Sequence, residues 1–170
     1  MALEEGIRFF VTSLGNPRWV VDRVSPHGGV VYHDVTERKW ALKARDAGVQ
    51  GLIAVNRRAG GHPGPLEAPA LLDAVGDLGL PAVCAGGVAT PTEFRDAMAL
   101  GYAGVQVGTR FIATPECSAP QAYKEAIVAS GEDAVVWSER ITGVPVAVLD
   151  TPRVRAMGLK AGPFARWMLR

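Results

Sequence analysis

Along the chain, short apolar runs alternate with longer segments whose apolar residues recur at helical spacing. The runs are Ile7–Thr12, Gly29–Val35, Gly51–Val55, Leu80–Ala85 and Gly104–Gly108. Each is near-continuously apolar, as expected of a strand covered on both faces, and each is followed by a helical segment. The helix starts carry chemical signals. Asn16-Pro17 opens a helix through Val20, Val21 and Val24, and Thr36 reads as an N-cap with Glu37 as a first-turn acid. A helix around Ala68–Leu78 closes at Gly79, and Thr90-Pro91-Thr92-Glu93 has the form of a capping box with proline at the first helical position. Five strand-helix units of this kind predict an α/β protein with a parallel sheet.

Periodicity alone leaves two architectures open, since an open doubly wound sheet and a (β/α)8 barrel produce the same alternation. The glycines separate them in part. Gly60-Gly61, Gly86-Gly87 and Gly108-Thr109 follow the third, fourth and fifth runs in succession. Glycine turns after successive neighbouring strands have the look of one barrel face, whereas an open nucleotide-binding sheet concentrates its glycines after one strand. In barrels the phosphate site commonly follows strands seven and eight. The five runs then read as strands 4–8 of a partial barrel, with post-barrel helices, and divide the chain into residues 1–113 and 114–170.

The candidate chemistry lies in the same turns. Ala59-Gly60-Gly61-His62-Pro63-Gly64 places one imidazole among three glycines directly after a buried strand. An imidazole titrates near neutral pH, and the glycines let another group approach the backbone, which makes His62 a candidate base. Gly86-Gly87-Val88 and Gly108-Thr109-Arg110 lie one βα unit apart. Their backbone N–H groups and the Thr109 hydroxyl suit an anion such as a phosphate. Arg110 reads first as a structural or solvated arginine, His33 as a structural strand-end histidine and His27 as a loop residue.

Composition narrows the function classes. The 18 basic and 17 acidic residues leave a net charge of +1, too small a field to recruit nucleic acid or an anionic membrane. Cys84 and Cys117 lack metal-ligand spacing, and no metal site is expected; Cys84 sits in an apolar run and reads as core. The beginning, Met1-Ala2-Leu3-Glu4-Glu5-Gly6, has no signal-peptide pattern, and no run approaches the ~20 apolar residues of a membrane span. The chain reads as a cytoplasmic protein acting on small molecules. Thr151–Arg170 carries five basic and no acidic residues among Phe164, Trp167, Met168 and Leu169, and reads as a packing helix or subunit-contact segment.

Three segments together resemble the nitronate monooxygenases, also known as 2-nitropropane dioxygenases: Val55–Gly64, Ala85–Ala89, and Ala99–Phe111 with its Gly104-Val105-Gln106-Val107-Gly108-Thr109-Arg110. Ala122–Ile127 and Ile141–Pro145 are similar to the family's post-barrel region. The resemblance implies an FMN-dependent TIM barrel that oxidises alkyl nitronates or nitroalkanes with O2. It assigns His62 as the catalytic base. It places flavin contacts at Gly60, Gly87, Gln106, Val107, Gly108 and Thr109, with Gly61 and Gly86 supported by backbone geometry. His33-Asp34 departs from the histidine-lysine of several relatives. The related enoyl-ACP reductases tend to carry an acid where this chain has Arg58. A flavin- or phosphate-binding fragment without catalysis is the remaining alternative. Strands 1–3 of such a barrel are not among the five runs, so the expected partner is a complementing N-terminal segment or a second copy of the chain.

Overall fold

The computed structural model of the protein describes residues 2–168. The five apolar runs become β1 (Phe9–Thr12), β2 (Val30–Val35), β3 (Gly51–Val55), β4 (Ala82–Ala85) and β5 (Gly104–Gln106). They form one parallel sheet in the order β1-β2-β3-β4-β5. Between them lie α1 (Arg18–Val24), α2 (Arg38–Asp46), α3 (Ala68–Val75) and α4 (Pro91–Leu100).

All four helices pack on the same face of the sheet. Val21 and Val24 of α1, Ala41 and Ala44 of α2, Leu71 and Val75 of α3 and Ala97 of α4 share one core with Val31, Val35, Leu52, Ala54, Ala82 and Cys84 from the strands. A doubly wound sheet puts helices on both faces and reverses its strand order. Sequential order with a single helical layer is instead the arrangement of a barrel wall, and the five parallel strands form a half-barrel. β1 and β5 are the sheet's two edges.

The face away from the helices is partly open. Phe9 and Val11 of β1 are 56% and 52% exposed, although both are large and apolar. Phe9 leans on Tyr32 at 5.0 Å between ring centroids. The Tyr32 ring lies over its register partner Gly51, where a side chain would overlap it.

Local signals translate closely. Thr90 and Glu93 form the complete capping box with Pro91 at the first helical position, and Gly79 takes the left-handed conformation after the turn Gly76–Leu78. One helix start differs. α2 begins at Arg38 with Glu37, not Thr36, as its N-cap residue, and Glu37 makes no side-chain cap bond. Thr36 is held in the preceding turn, where its side chain packs on Gly64. Arg38 meanwhile bonds to the Ala74 carbonyl and to both oxygens of Asp77, tying α2 to the end of α3.

By internal contacts the chain divides into two units. The first comprises residues 1–58 and 64–106, and the second residues 59–63 and 107–170. The second unit holds α5 (Thr109–Ile112), α6 (Gln121–Ala129), an antiparallel pair β6 (Val135–Ser138) and β7 (Val146–Leu149), then α7 (Pro152–Met157) and α8 (Pro163–Met168). The β6–β7 ribbon adds strands to a segment expected to be helical or irregular. Near the end, Val154 and Ala161 are buried but Phe164, Trp167 and Met168 stand exposed. The expected packing segment extends onto Leu169 and Arg170, which lie outside the described residues, as does Met1.

Candidate functional site

In the first unit the chemistry gathers where β3 and β4 end. Asn56, the residue after β3, is fully buried. Its backbone N–H donates to the Ala85 carbonyl at 3.0 Å and its carbonyl accepts from Gly64 N–H at 3.2 Å. Its side chain donates from Nδ2 to the Gly86 carbonyl at 2.9 Å, and its Oδ1 accepts from the Arg58 N–H at 2.8 Å. A buried amide with every group engaged is strongly held, since leaving one unpaired costs about 1–3 kcal/mol. Asn56 therefore clamps the turn after β3 to the glycine turn after β4. Sequence reading did not single it out for this; the signal available was a polar residue at the end of an otherwise apolar run.

Gly86 and Gly87 both have positive φ, 114° and 71°, a conformation that other residues rarely adopt. A Cβ on Gly87 would also come within 2.8–2.9 Å of Nε, Cδ and Cζ of Arg58. The Arg58 guanidinium lies 3.1 Å from Glu93 Oε1. The Glu93 carboxylate in turn accepts from the N–H groups of Ala89 and Thr90, both at 2.9 Å, and from the Thr90 hydroxyl at 3.0 Å. These bonds, the Ala89 N–H foremost, hold the Glu93 carboxyl at a pKa of about 2. Gln106 ends β5 in register with Ala85, so the β4 and β5 ends lie side by side as the glycine pattern implied.

His33 and Asp34 occupy opposite faces of β2. His33 points to the helical layer, is 5% exposed, and its Nδ1 lies 2.8 Å from the Thr12 hydroxyl. Burial lowers its pKa, against a smaller upward pull from Asp34. Its surroundings are those of a histidine packed into the core. Asp34, on the face away from the helices, has a buried Oδ1 with no hydrogen-bond partner, and burial raises its pKa, partly offset by a bond from Ser13. Cys84 is buried beneath the sheet with its thiol pKa raised by that burial, as core cysteines are.

In the second unit the glycine-histidine turn is anchored to β7. The Gly61 carbonyl accepts from Ala147 N–H at 2.7 Å, an isolated antiparallel bridge. Gly61 itself has φ 77°, with open space where a Cβ would be. A methyl group on Gly60 would overlap the Thr109 hydroxyl, so this glycine is where the two turns approach most closely. Gly108 precedes α5 and likewise faces open space at its missing Cβ position, with Val107 before it.

His62 Nε2 lies 3.1 Å from the Thr142 hydroxyl. The same hydroxyl donates its only proton to the Val144 carbonyl at 3.0 Å. With the hydroxyl turned that way it accepts from Nε2–H of His62, the tautomer that keeps the lone pair on Nδ1. Thr142 was legible in sequence only as part of a post-barrel segment, because 80 residues separate it from His62.

Of the expected site residues, Gly86, Gly87 and Gln106 thus belong to the first unit, and Gly60, Gly61, His62, Val107, Gly108 and Thr109 to the second. Among the described residues no cluster of acids, histidines or cysteines could hold a metal ion. No described helix is long and apolar enough to cross a membrane.

The family model for nitronate monooxygenase matches residues 1–165. The chain belongs to the nitronate monooxygenase family. Among curated relatives, the (3aS,4S,5R,7aS)-5-hydroxy-7a-methyl-1-oxo-octahydro-1H-indene-4-carboxyl-CoA dehydrogenase of Mycobacterium tuberculosis is 32% identical over 171 residues, covering 97% of this chain and 48% of that protein. FabK from Thermotoga maritima superposes with a TM-score of 0.82 at 31% identity, over 91% of this chain and 50% of that one. A nitroalkane oxidase from Streptomyces ansochromogenes gives 0.80 at 25% identity, over 92% and 49%. As a member of the nitronate monooxygenase family, the chain spans about half the length of these relatives.

Proposed function

We propose that this chain is the flavin-binding, base-carrying half of an FMN-dependent oxidoreductase acting on alkyl nitronates or nitroalkanes with O2. The observation that carries the reading is the His62–Thr142–Val144 chain of hydrogen bonds, which leaves Nδ1 of an exposed imidazole as a proton acceptor. Nδ1 takes the proton from the carbon beside the nitro group, and Thr142 keeps the imidazolium oriented through Nε2. A nitronate has already lost that proton, so with it His62 serves only as a neighbour of the nitro group.

The glycines fit a flavin phosphate. Gly61 and Gly108 face open space at their missing Cβ positions, and Gly60 brings the Thr109 hydroxyl to its turn. In the second unit Gly60, Val107, Gly108 and Thr109, and separately in the first unit Gly87 and Gln106, are the positions that the family resemblance assigns to FMN, with Gly61 and Gly86 added from backbone geometry. When bound, FMN supplies the redox chemistry, accepting electrons from the substrate and passing them to dioxygen. The edges at β1 and β5, with Phe9 and Val11 exposed, are where further βα units, a complementing segment or a second copy, would extend the sheet.

A second reading is an enoyl reductase, favoured by the likeness to FabK over 91% of the chain. Arg58, in place of the acid those reductases tend to carry, weighs against it. The test is turnover by the flavin-loaded protein. Oxidation of nitroalkane and nitronate without rapid reduction by NAD(P)H is expected. His62→Asn should lower the nitroalkane rate by about 10²-fold or more while leaving nitronate turnover within a few-fold. Rapid reduction by NAD(P)H with no nitronate turnover, or equal loss on both substrates, overturns the reading.

A further inference from the structure

We propose that Arg58 is an anion-recognition residue of the β4 glycine turn, which exchanges its Glu93 partner for the phosphate of a bound flavin. This rests on the FMN reading above and adds a residue that neither the glycine pattern nor the family resemblance assigns to the phosphate.

The geometry of the turn carries it. Nε, Cδ and Cζ of Arg58 lie 2.8–2.9 Å from where a Gly87 Cβ would stand, so the guanidinium stem rests directly against the glycine backbone. One buried side chain ties the Arg58 backbone to this turn, because Asn56 holds the Arg58 N–H with its Oδ1 and the Gly86 carbonyl with its Nδ2. Gly87 takes a positive φ that other residues rarely adopt, and the arginine lies over it.

The arginine has reason to change partners. Its side chain is 39% exposed, and its planar fork matches two phosphate oxygens at once. Glu93 does not depend on it. The carboxylate already accepts from Ala89 N–H, Thr90 N–H and the Thr90 hydroxyl, and these bonds keep it ionised when Arg58 turns away. Without ligand, Glu93 neutralises the guanidinium; with ligand, the phosphate takes its place.

The test compares FMN with riboflavin, which has the same ring system and no phosphate, by quenching of flavin fluorescence in the wild-type chain, Arg58→Gln, Arg58→Lys and Glu93→Gln. Far-UV circular dichroism establishes that each variant is folded. Arg58→Gln is expected to weaken FMN binding about tenfold or more, the ordinary size for a charge-assisted phosphate contact, and to leave riboflavin binding unchanged. Arg58→Lys should fall between, having the charge without the fork. Glu93→Gln keeps a side chain able to complete the capping box and should bind FMN several-fold tighter, because the guanidinium is no longer shared. Unchanged FMN affinity in Arg58→Gln, or parallel loss of FMN and riboflavin, overturns the assignment while the flavin reading stands. Weaker FMN binding by Glu93→Gln overturns the exchange of partners. A wild-type chain that binds neither flavin overturns the flavin reading and this assignment with it.

Discussion

Substituting alanine for Gly60 should cost stability through one contact, the approach of Thr109. The added methyl overlaps the Thr109 hydroxyl, while the Gly60 backbone itself lies outside the positive-φ region. The cost is therefore steric. Forcing a methyl group into an occupied space typically costs about 1–3 kcal/mol, and moving Thr109 off its rotamer accounts for roughly 0.5–1.5 kcal/mol of that. Thr109→Ala removes the obstructing oxygen. In that background Gly60→Ala should cost about 1 kcal/mol less than in the wild type, which makes the two substitutions non-additive in the stabilising direction. Urea unfolding of the wild type, both single variants and the double variant gives the four free energies, compared at equal m-value. Additivity within about 0.3 kcal/mol, or a Gly60→Ala cost below about 0.5 kcal/mol, would refute the claim that glycine is required there by Thr109.

Three further outcomes follow from the same structure. Thr142→Val should remove the acceptor on His62 Nε2, mix its tautomers in nitrogen NMR and lower nitroalkane turnover about five- to tenfold, with Thr142→Ser restoring both; a rate unchanged by valine would count against Thr142 as the orienting group. Thr90→Ala should destabilise the protein by about 1 kcal/mol through loss of the α4 cap, read as a lower urea midpoint. Burial raises the Asp34 pKa, so its carboxyl favours the neutral form in the fold and stability from this group declines as pH rises from its unfolded pKa through its folded one. Asp34→Asn should accordingly gain stability relative to wild type at pH 7 compared with pH 4, and a difference independent of pH would contradict the assigned cause.

Elements with a local cause were legible in the chain. The capping box at Thr90–Glu93 satisfies its own backbone groups, Gly79 stops a helix because of its own conformation, and β3 spans the residues its apolar run marks, Gly51–Val55. Where a distant residue intervenes, local pattern misplaces the element. Thr36 has the chemistry of a cap but packs against Gly64, and the helix starts one residue later than expected. The β6–β7 ribbon was missed although Val135–Trp137 and Val146–Leu149 are apolar runs, because an antiparallel pair depends on its partner more than on its own period.

By itself the sequence determined an alternating α/β chain, its parallel strands, the glycine turns that follow them and the single histidine placed among those turns. These rest on side-chain size, backbone freedom and periodicity, which act within a few residues. Only the tertiary structure decided that the four helices cover one face, because the alternation is the same whichever face a helix crosses. Only it decided which neighbour each polar group meets. His33 turns to the helical layer and Asp34 away from it, Asn56 clamps two turns, Arg58 lies over Gly87, and Thr142 meets Nε2 of His62. Those contacts join residues about 20 to 80 positions apart, and chain spacing holds no record of them until packing and hydrogen-bond geometry bring the atoms together.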